Sequence, residues 1–117
     1  MRPDLEIIQT WIEPKSRVLD LGCGDGALLT FLKKEKKVDS IGLEIDAANI
    51  QHCIKNGVNV IEQNLDKGLS NFETDSFDTV VLTQTLQALS RPDELIEEML
   101  RIAVSYTHLT LPTTPYV

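Results

Sequence analysis

The stretch Val-Leu-Asp-Leu-Gly-Cys-Gly-Asp-Gly occupies residues 18–26, where an apolar run ends in an acid and three glycines then alternate with other residues. A strand that leads through such a loop into a helix brings bare backbone close to a small ligand, because glycine has no Cβ. The N–H groups at the start of the following helix attract groups such as a carboxylate. The stretch therefore predicts a ligand-binding turn in an α/β protein.

The spacing of the glycines limits the choice of ligand. Dinucleotide-binding folds use G-x-G-x-x-G around a pyrophosphate, whereas the third glycine here, Gly26, comes one residue earlier. The phosphate-binding pattern G-x-x-x-x-G-K-[ST] is absent from the sequence. A tight turn with a purely structural role is the alternative that the loop alone leaves open.

A second predicted strand, residues 40–45, ends in acids. Glu44 follows the glycine loop by about twenty residues, where Rossmann-like folds place the acid that binds ribose hydroxyls. Since a carboxylate can accept hydrogens from both hydroxyls of a diol, we predict that Glu44 binds a ribose. Ile45 would then pack on the adenine, and Asp46 would cap the next helix. The alternative for Glu44 is a solvated charge at a strand end.

Strands and helices alternate along the chain, which predicts a parallel sheet with right-handed crossovers and helices on its flanks. The fourth strand is a short β-branched run that is typical of a buried parallel strand, and Asp78 near its start is interpreted as structural. Thr83 and Gln84 follow at the sheet edge where ligands bind in this architecture. The predicted strands are 17–21, 40–45, 58–62 and 77–83, and the predicted helices are 4–13, 26–36, 47–56 and 92–103.

Two of these motifs resemble class I S-adenosylmethionine-dependent methyltransferases. The D-x-G-x-G-x-G pattern is similar to motif I of that family, and S-F-D-x-V-V-L at 76–82 is similar to motif IV. The resemblance implies a Rossmann-like fold that binds S-adenosylmethionine. It implies that the loop wraps the methionine end of the cofactor and that an acid lies near the ammonium group. The residues concerned are Asp20, Gly22, Cys23, Gly24 and Gly26.

The resemblance also implies an adenine site after the third strand. An acid at this point in the family bonds the adenine amino group while an apolar neighbour flanks the ring, and Asp66 and Leu65 match those positions. An ordinary turn is the alternative, because Asp-Lys-Gly is a common turn sequence.

About residues 5–103 resemble one subfamily, the MetW family of methionine-biosynthesis proteins. Its most specific element is Gln-Thr-Leu-Gln-Ala at 84–88. The resemblance implies a methyltransferase-like protein that acts as a partner of homoserine O-acetyltransferase. The alternative is an active methyltransferase on an unknown acceptor, since methyl transfer from a sulfonium mainly requires positioning of donor and acceptor. The other matching phrases are V-L-D-L-G-C-G-D-G-A-L-L, G-L-E-I-D-A-A-N-I, N-L-D-K-G-L and R-P-D-E-L-I-E-E-M-L-R.

Composition fits a soluble globular protein. Of the 117 residues, 42% are hydrophobic and 25% are charged, which suits one small domain. The net charge of −7 disfavours nucleic acid as the main partner. No apolar run approaches the roughly 20 residues of a membrane span, and no signal segment precedes the first helix. We therefore expect a cytoplasmic protein with neither a membrane nor a nucleic-acid partner.

The two cysteines, Cys23 and Cys53, lack the spacing of a zinc site or a disulfide framework. We predict no metal and treat both as reduced thiols. A nucleophilic role for Cys23 would need a nearby base, which the sequence does not identify.

The segment 104–117 contains no Asp, Glu, Lys or Arg, and the resemblance ends near Ala103. The segment looks like the translation of a sequencing adapter joined to a truncated reading frame. We therefore assign 1–103 to the N-terminal part of a methyltransferase-like domain, truncated after about strand four. Strand four would then lack its normal neighbour in the sheet. The alternative is a divergent strand in which Thr107, Leu109 and Leu111 alternate with other residues.

Overall fold

A computed structural model describes residues 3–82, 89–104 and 109–110, in which five parallel strands form one sheet. Helices flank the sheet, which confirms the predicted α/β, Rossmann-like architecture. The helices are α1 (Pro3–Gln9), α2 (Ala27–Lys36), α3 (Ala47–Lys55) and α4 (Pro92–Ile102), and the strands are β1 (Arg17–Leu21), β2 (Asp39–Glu44), β3 (Val60–Glu62), β4 (Thr79–Leu82) and β5 (Leu109–Thr110).

The strand order is β3-β2-β1-β4-β5. The chain thus places β2 and β3 on one side of β1 and then returns to place β4 and β5 on the other side of β1. β1 pairs with β2 from Arg17 to Leu21 and with β4 from Val18 to Leu21. The carboxyl ends of β1 and β4 therefore flank the point where the strand order reverses. Open α/β sheets bind their ligands outside such a point.

The sheet separates two apolar clusters. On one face, Val18 and Val81 pack with the buried leucines of α2 and with Cys53 of α3. On the other face, Leu19 and Leu82 pack with the buried side chains of α4. β1 is thus covered on both faces, which explains why its buried part, from Val18 to Leu21, is apolar except for Asp20.

Several helix and strand ends differ from the predicted ones by a few residues. α1 ends at Gln9 instead of 13, because Thr10, Trp11 and Ile12 each donate their N–H to the carbonyl three residues back. Asp46 caps α3 as predicted, since its side chain accepts the N–H of Asn49 at 3.0 Å. Of the helices within the described residues, none has the length and apolar character to cross a membrane.

The structural role predicted for Asp78 is confirmed. Its carboxylate accepts the backbone N–H of Arg17 at 2.8 Å and the Arg17 guanidinium at 3.2 and 3.3 Å. These bonds join the start of β1 to the residue before β4.

The edge of the sheet beyond β4 differs from the expectation. We expected β4 to lack a neighbour, but Val80 and Val81 pair with Leu109 and Thr110 of β5. A two-residue strand thus continues the sheet within the segment that was predicted to be non-native.

Candidate functional site

The glycine loop between β1 and α2 adopts a backbone that favours glycine. Gly22, Gly24 and Gly26 have φ values of 75°, 60° and 84°. Residues with a side chain rarely adopt a positive φ. The shape of the turn therefore explains why glycines alternate along the motif.

Gly26 and Gly24 differ in the space around them. A Cβ added at Gly26 would lie 3.0 Å from Cys53 Sγ, so this glycine lets the loop pack closely on α3. A Cβ added at Gly24 would have no heavy atom within 4 Å. The backbone of Gly24 therefore borders open space, as a site for a closely approaching ligand requires.

Hydrogen bonds hold the loop against the end of β2. The N–H groups of Gly22 and Cys23 donate to the Leu43 carbonyl at 2.8 and 3.0 Å. The N–H of Gly24 donates to Glu44 Oε1 at 2.8 Å. The loop and the end of β2 thus form one connected unit.

Glu44 is 4% exposed and already accepts several hydrogens. Besides the Gly24 bond, its Oε2 accepts the N–H groups of Ile45 and Asp46 at 3.1 and 3.0 Å. A carboxylate offers about four acceptor positions, so roughly one remains on Oε1. Glu44 is therefore a buried, bonded group, and the alternative of a solvated charge at a strand end is wrong.

A cavity of about 210 Å³ lies beside Glu44. It brings together five of the predicted site residues, namely Gly22, Glu44, Ile45, Leu65 and Asp66. Ile45 is 57% exposed and lines the cavity, so its apolar side chain is accessible to a ligand there. An apolar ring in the cavity would find Ile45 and Leu65 among its walls.

Asp66 lies on a short 3-10 turn, Leu65–Lys67, that Asn64 caps by accepting the Asp66 N–H at 2.9 Å. The Asp66 carboxylate is exposed, and it accepts the N–H of Ser90 at 2.9 Å and the Ser90 hydroxyl at 3.3 Å. The turn after β3 is thereby tied to the segment that precedes α4.

The other predicted residues lie elsewhere. Asp20 is on β1 and is 1% exposed, and it does not line the cavity. Cys23, Gly24 and Gly26 belong to the glycine loop but likewise are not among its walls. Thr83 and Gln84, together with the rest of 83–88, lie outside the described residues.

The two cysteines are in contact, which the sequence did not predict. Cys23 Sγ and Cys53 Sγ are 3.7 Å apart and both are free and buried. Burial raises the pKa of Cys23, and the negative charge of Asp20 adds to the effect. Burial likewise raises the pKa of Cys53. Both groups are therefore neutral thiols near pH 7, and neither is an activated nucleophile.

Sequence reasoning missed four residues that line the cavity: Leu43, Gln63, Asn64 and Leu89. Gln63 and Asn64 directly precede Leu65, so their place after the third strand was an available signal. Leu89 had no such signal, because the pattern does not show where the chain returns after β4. Within the described residues, no group of three or more His, Cys, Asp or Glu side chains could hold a metal ion.

Comparison with known proteins identifies the family. The family described as "Methionine biosynthesis protein MetW" matches residues 2–113. The chain belongs to the MetW family. The match continues beyond Ala103, where we expected the resemblance to end, and takes in part of 104–117; the origin of that segment stays a prediction.

A curated MetW relative comes from Rhodopirellula baltica and is described as a bifunctional methionine biosynthesis protein MetXA/MetW. It is 37% identical over 107 residues, and the aligned part covers 85% of this chain and 17% of that protein. The MetW-family chain thus spans about a sixth of the length of this relative.

Solved structures show the same fold. An S-adenosylmethionine-dependent methyltransferase from Archaeoglobus fulgidus is 27% identical with a TM-score of 0.73, covering 85% of this chain and 45% of that one. A similar enzyme from Mesorhizobium loti is 18% identical with a TM-score of 0.73, covering 84% and 47%. The [4+2]-cyclase SpnF is 20% identical with a TM-score of 0.73, covering 85% and 39%. The chain spans less than half of each of these proteins.

Proposed function

We propose that this chain binds S-adenosylmethionine along the glycine loop and in the cavity beside Glu44. Gly24 carries the argument, because its backbone borders open space at the loop that the family resemblance assigns to the methionine end. In this proposal the loop residues Gly22, Cys23, Gly24 and Gly26 hold the methionine portion, with Asp20 near the ammonium group. Glu44 binds the ribose, while Ile45, Leu65 and Asp66 bind the adenine.

The charge of the site supports this ligand over a dinucleotide. Glu44 and Asp66 line the cavity, and the buried Asp20 lies on the strand that leads into the loop. Negative groups attract the sulfonium and ammonium charges of S-adenosylmethionine and would repel a pyrophosphate. The proposal also assigns Thr83 and Gln84 to the cofactor site; both lie outside the residues that the structure describes.

We propose further that the chain acts as a partner of homoserine O-acetyltransferase. The relative whose description joins MetXA with MetW supports this, because MetXA denotes that acyltransferase and the two parts share one chain there. Domains fused in one relative are natural candidates for association as separate chains. The proposed function is therefore that of an accessory protein in methionine biosynthesis, located in the cytoplasm as the sequence predicts.

A second candidate is methyl transfer to an unknown acceptor. It is favoured by the solved structures of S-adenosylmethionine-dependent methyltransferases that share the fold. However, the cyclase SpnF shares the fold to the same extent, so the fold alone does not specify methyl transfer. Formation of S-adenosylhomocysteine from labelled cofactor, with extracts fractionated as the acceptor source, distinguishes this candidate from the accessory role.

The cofactor proposal is tested by a thermal melt of residues 1–117 with and without S-adenosylmethionine. A ligand that binds only the folded state raises the midpoint as its occupancy rises. We expect a cooperative melt that shifts upward with ligand concentration. A cooperative melt that does not shift contradicts the cofactor proposal while leaving the partner proposal intact.

The partner proposal is tested by pull-down with a homoserine O-acetyltransferase from the same genome and by assay of the acyltransferase. We expect association and a changed acyltransferase rate. The same assay with a full-length family member shows whether a missing association is due to the shorter length of this chain. If neither the chain nor the full-length homologue associates, the partner proposal is wrong.

A further inference from the structure

Ser90 donates two hydrogen bonds to the Asp66 carboxylate and so holds it in one orientation. Oδ1 of Asp66 accepts the Ser90 N–H at 2.9 Å, and Oδ2 accepts the Ser90 hydroxyl at 3.3 Å. Two donors from one residue thus engage both oxygens, which fixes the orientation of the carboxylate plane. Without them, an exposed aspartate on a short turn would sample several rotamers.

The same contact leaves the carboxylate able to bind a ligand. Of about four acceptor positions on a carboxylate, Ser90 uses two, so each oxygen retains roughly one. Leu89, the residue before Ser90, lines the same cavity as Asp66. The segment at 89–90 therefore contributes Leu89 to the cavity, and through Ser90 it also holds the Asp66 carboxylate, which belongs to another wall of the same cavity.

We propose that Ser90 is a positioning residue that holds the Asp66 carboxylate to accept a hydrogen from the adenine amino group. This inference rests on the proposed binding of S-adenosylmethionine. A binding group that is already oriented loses less freedom when the ligand arrives, so its hydrogen bond contributes more to affinity. Ser90 does not touch the adenine itself and acts through Asp66.

The experiment compares the affinity of the chain for S-adenosylhomocysteine with its affinity for the inosine analogue. In the analogue a carbonyl oxygen, which only accepts hydrogens, replaces the adenine amino group, so the donor that the proposal assigns to Asp66 is lost. We expect the wild type to prefer the adenosine form and Ser90→Ala to lower that preference about three- to tenfold, the usual effect of one lost hydrogen bond. The exposed Ser70, which is not among the partners of Asp66 in the described part of the chain, supplies the control variant Ser70→Ala with an unchanged preference.

A second variant separates positioning from a structural effect. Asp66→Ala should lower the preference further, and adding Ser90→Ala to it should change the preference no more, because Ser90 acts only through Asp66. A preference unchanged in Ser90→Ala, with both ligands still bound, overturns this inference alone. A further loss in the double variant also overturns it. Failure of the wild type to bind either ligand overturns the proposed cofactor and this inference together.

Discussion

The Glu44 carboxylate accepts the backbone N–H of Gly24 at 2.8 Å and so joins the end of β2 to the glycine loop. In the proposed complex, this bond links the group that binds the ribose to the loop that holds the methionine portion. Glu44 therefore has two tasks, and its loss should affect both the fold of the loop and the affinity for the cofactor.

Glu44→Gln should weaken cofactor binding by about 1.5–3 kcal/mol, because it removes charge-assisted hydrogen bonds. It should also lower the free energy of unfolding by roughly 1–3 kcal/mol, since the new amide places donors near the N–H groups of Ile45 and Asp46. Calorimetric titration with S-adenosylhomocysteine and denaturant unfolding measure the two effects. Glu62→Gln is the control, because Glu62 is an exposed acid at the end of the neighbouring β3. Equal binding by the two variants would refute the ribose assignment.

Gly24→Ala should reduce cofactor affinity at least about tenfold, because the new Cβ occupies the space that the ligand needs. Gly57→Ala is a matched control, since Gly57 has a similar φ of 75° and an added Cβ would meet only Lys33 Nζ, at an ordinary contact distance of 3.5 Å. Both variants should lose about 1–2 kcal/mol of stability through the positive φ. The comparison of their ligand affinities isolates the steric effect. If Gly57→Ala loses as much affinity as Gly24→Ala, the loss comes from stability and the loop assignment fails.

Ile45→Ala should weaken binding of the cofactor by about 1 kcal/mol, because the adenine loses an apolar surface to pack on. The side chain is 57% exposed, so the free energy of unfolding should change by less than about 0.5 kcal/mol. Ile54 on α3 is 58% exposed and does not line this cavity, which makes Ile54→Ala the control. Unchanged affinity in Ile45→Ala alongside an unchanged control would exclude Ile45 from the adenine site.

The sequence predicted the order of strands and helices because the buried strands are apolar runs and the helices carry apolar residues at helical spacing. Glu44 and the glycine loop were predicted from their separation along the chain. The bond from Gly24 to Glu44 was not, because spacing does not show which carboxylate oxygens the backbone already occupies. The Ser90 contact was also missed, since it joins two turns that are 24 residues apart and only the fold brings them together.

The burial of Cys23 and Cys53 predicts a loss of stability at alkaline pH. Burial raises the pKa of both thiols in the folded protein. In the unfolded chain a thiol has a pKa of about 8.5. Below that pH both states carry protonated thiols and the free energy of unfolding is unaffected. Above it the unfolded chain loses protons that the folded protein keeps, so stability falls by up to about 1.4 kcal/mol per pH unit for each thiol.

Denaturant unfolding between pH 7.5 and 9.5, with reductant present, measures this slope. Cys53→Ala should be less stable than the wild type at pH 7.5, because it removes a buried sulfur from the contact with α2 and the loop. Its stability should nevertheless fall less steeply with pH, since only one buried thiol remains to be deprotonated on unfolding. Comparing slopes instead of absolute values removes the contribution of lysines and tyrosines that the two proteins share. Parallel curves for the wild type and Cys53→Ala would show that Cys53 titrates equally in both states, contrary to its burial.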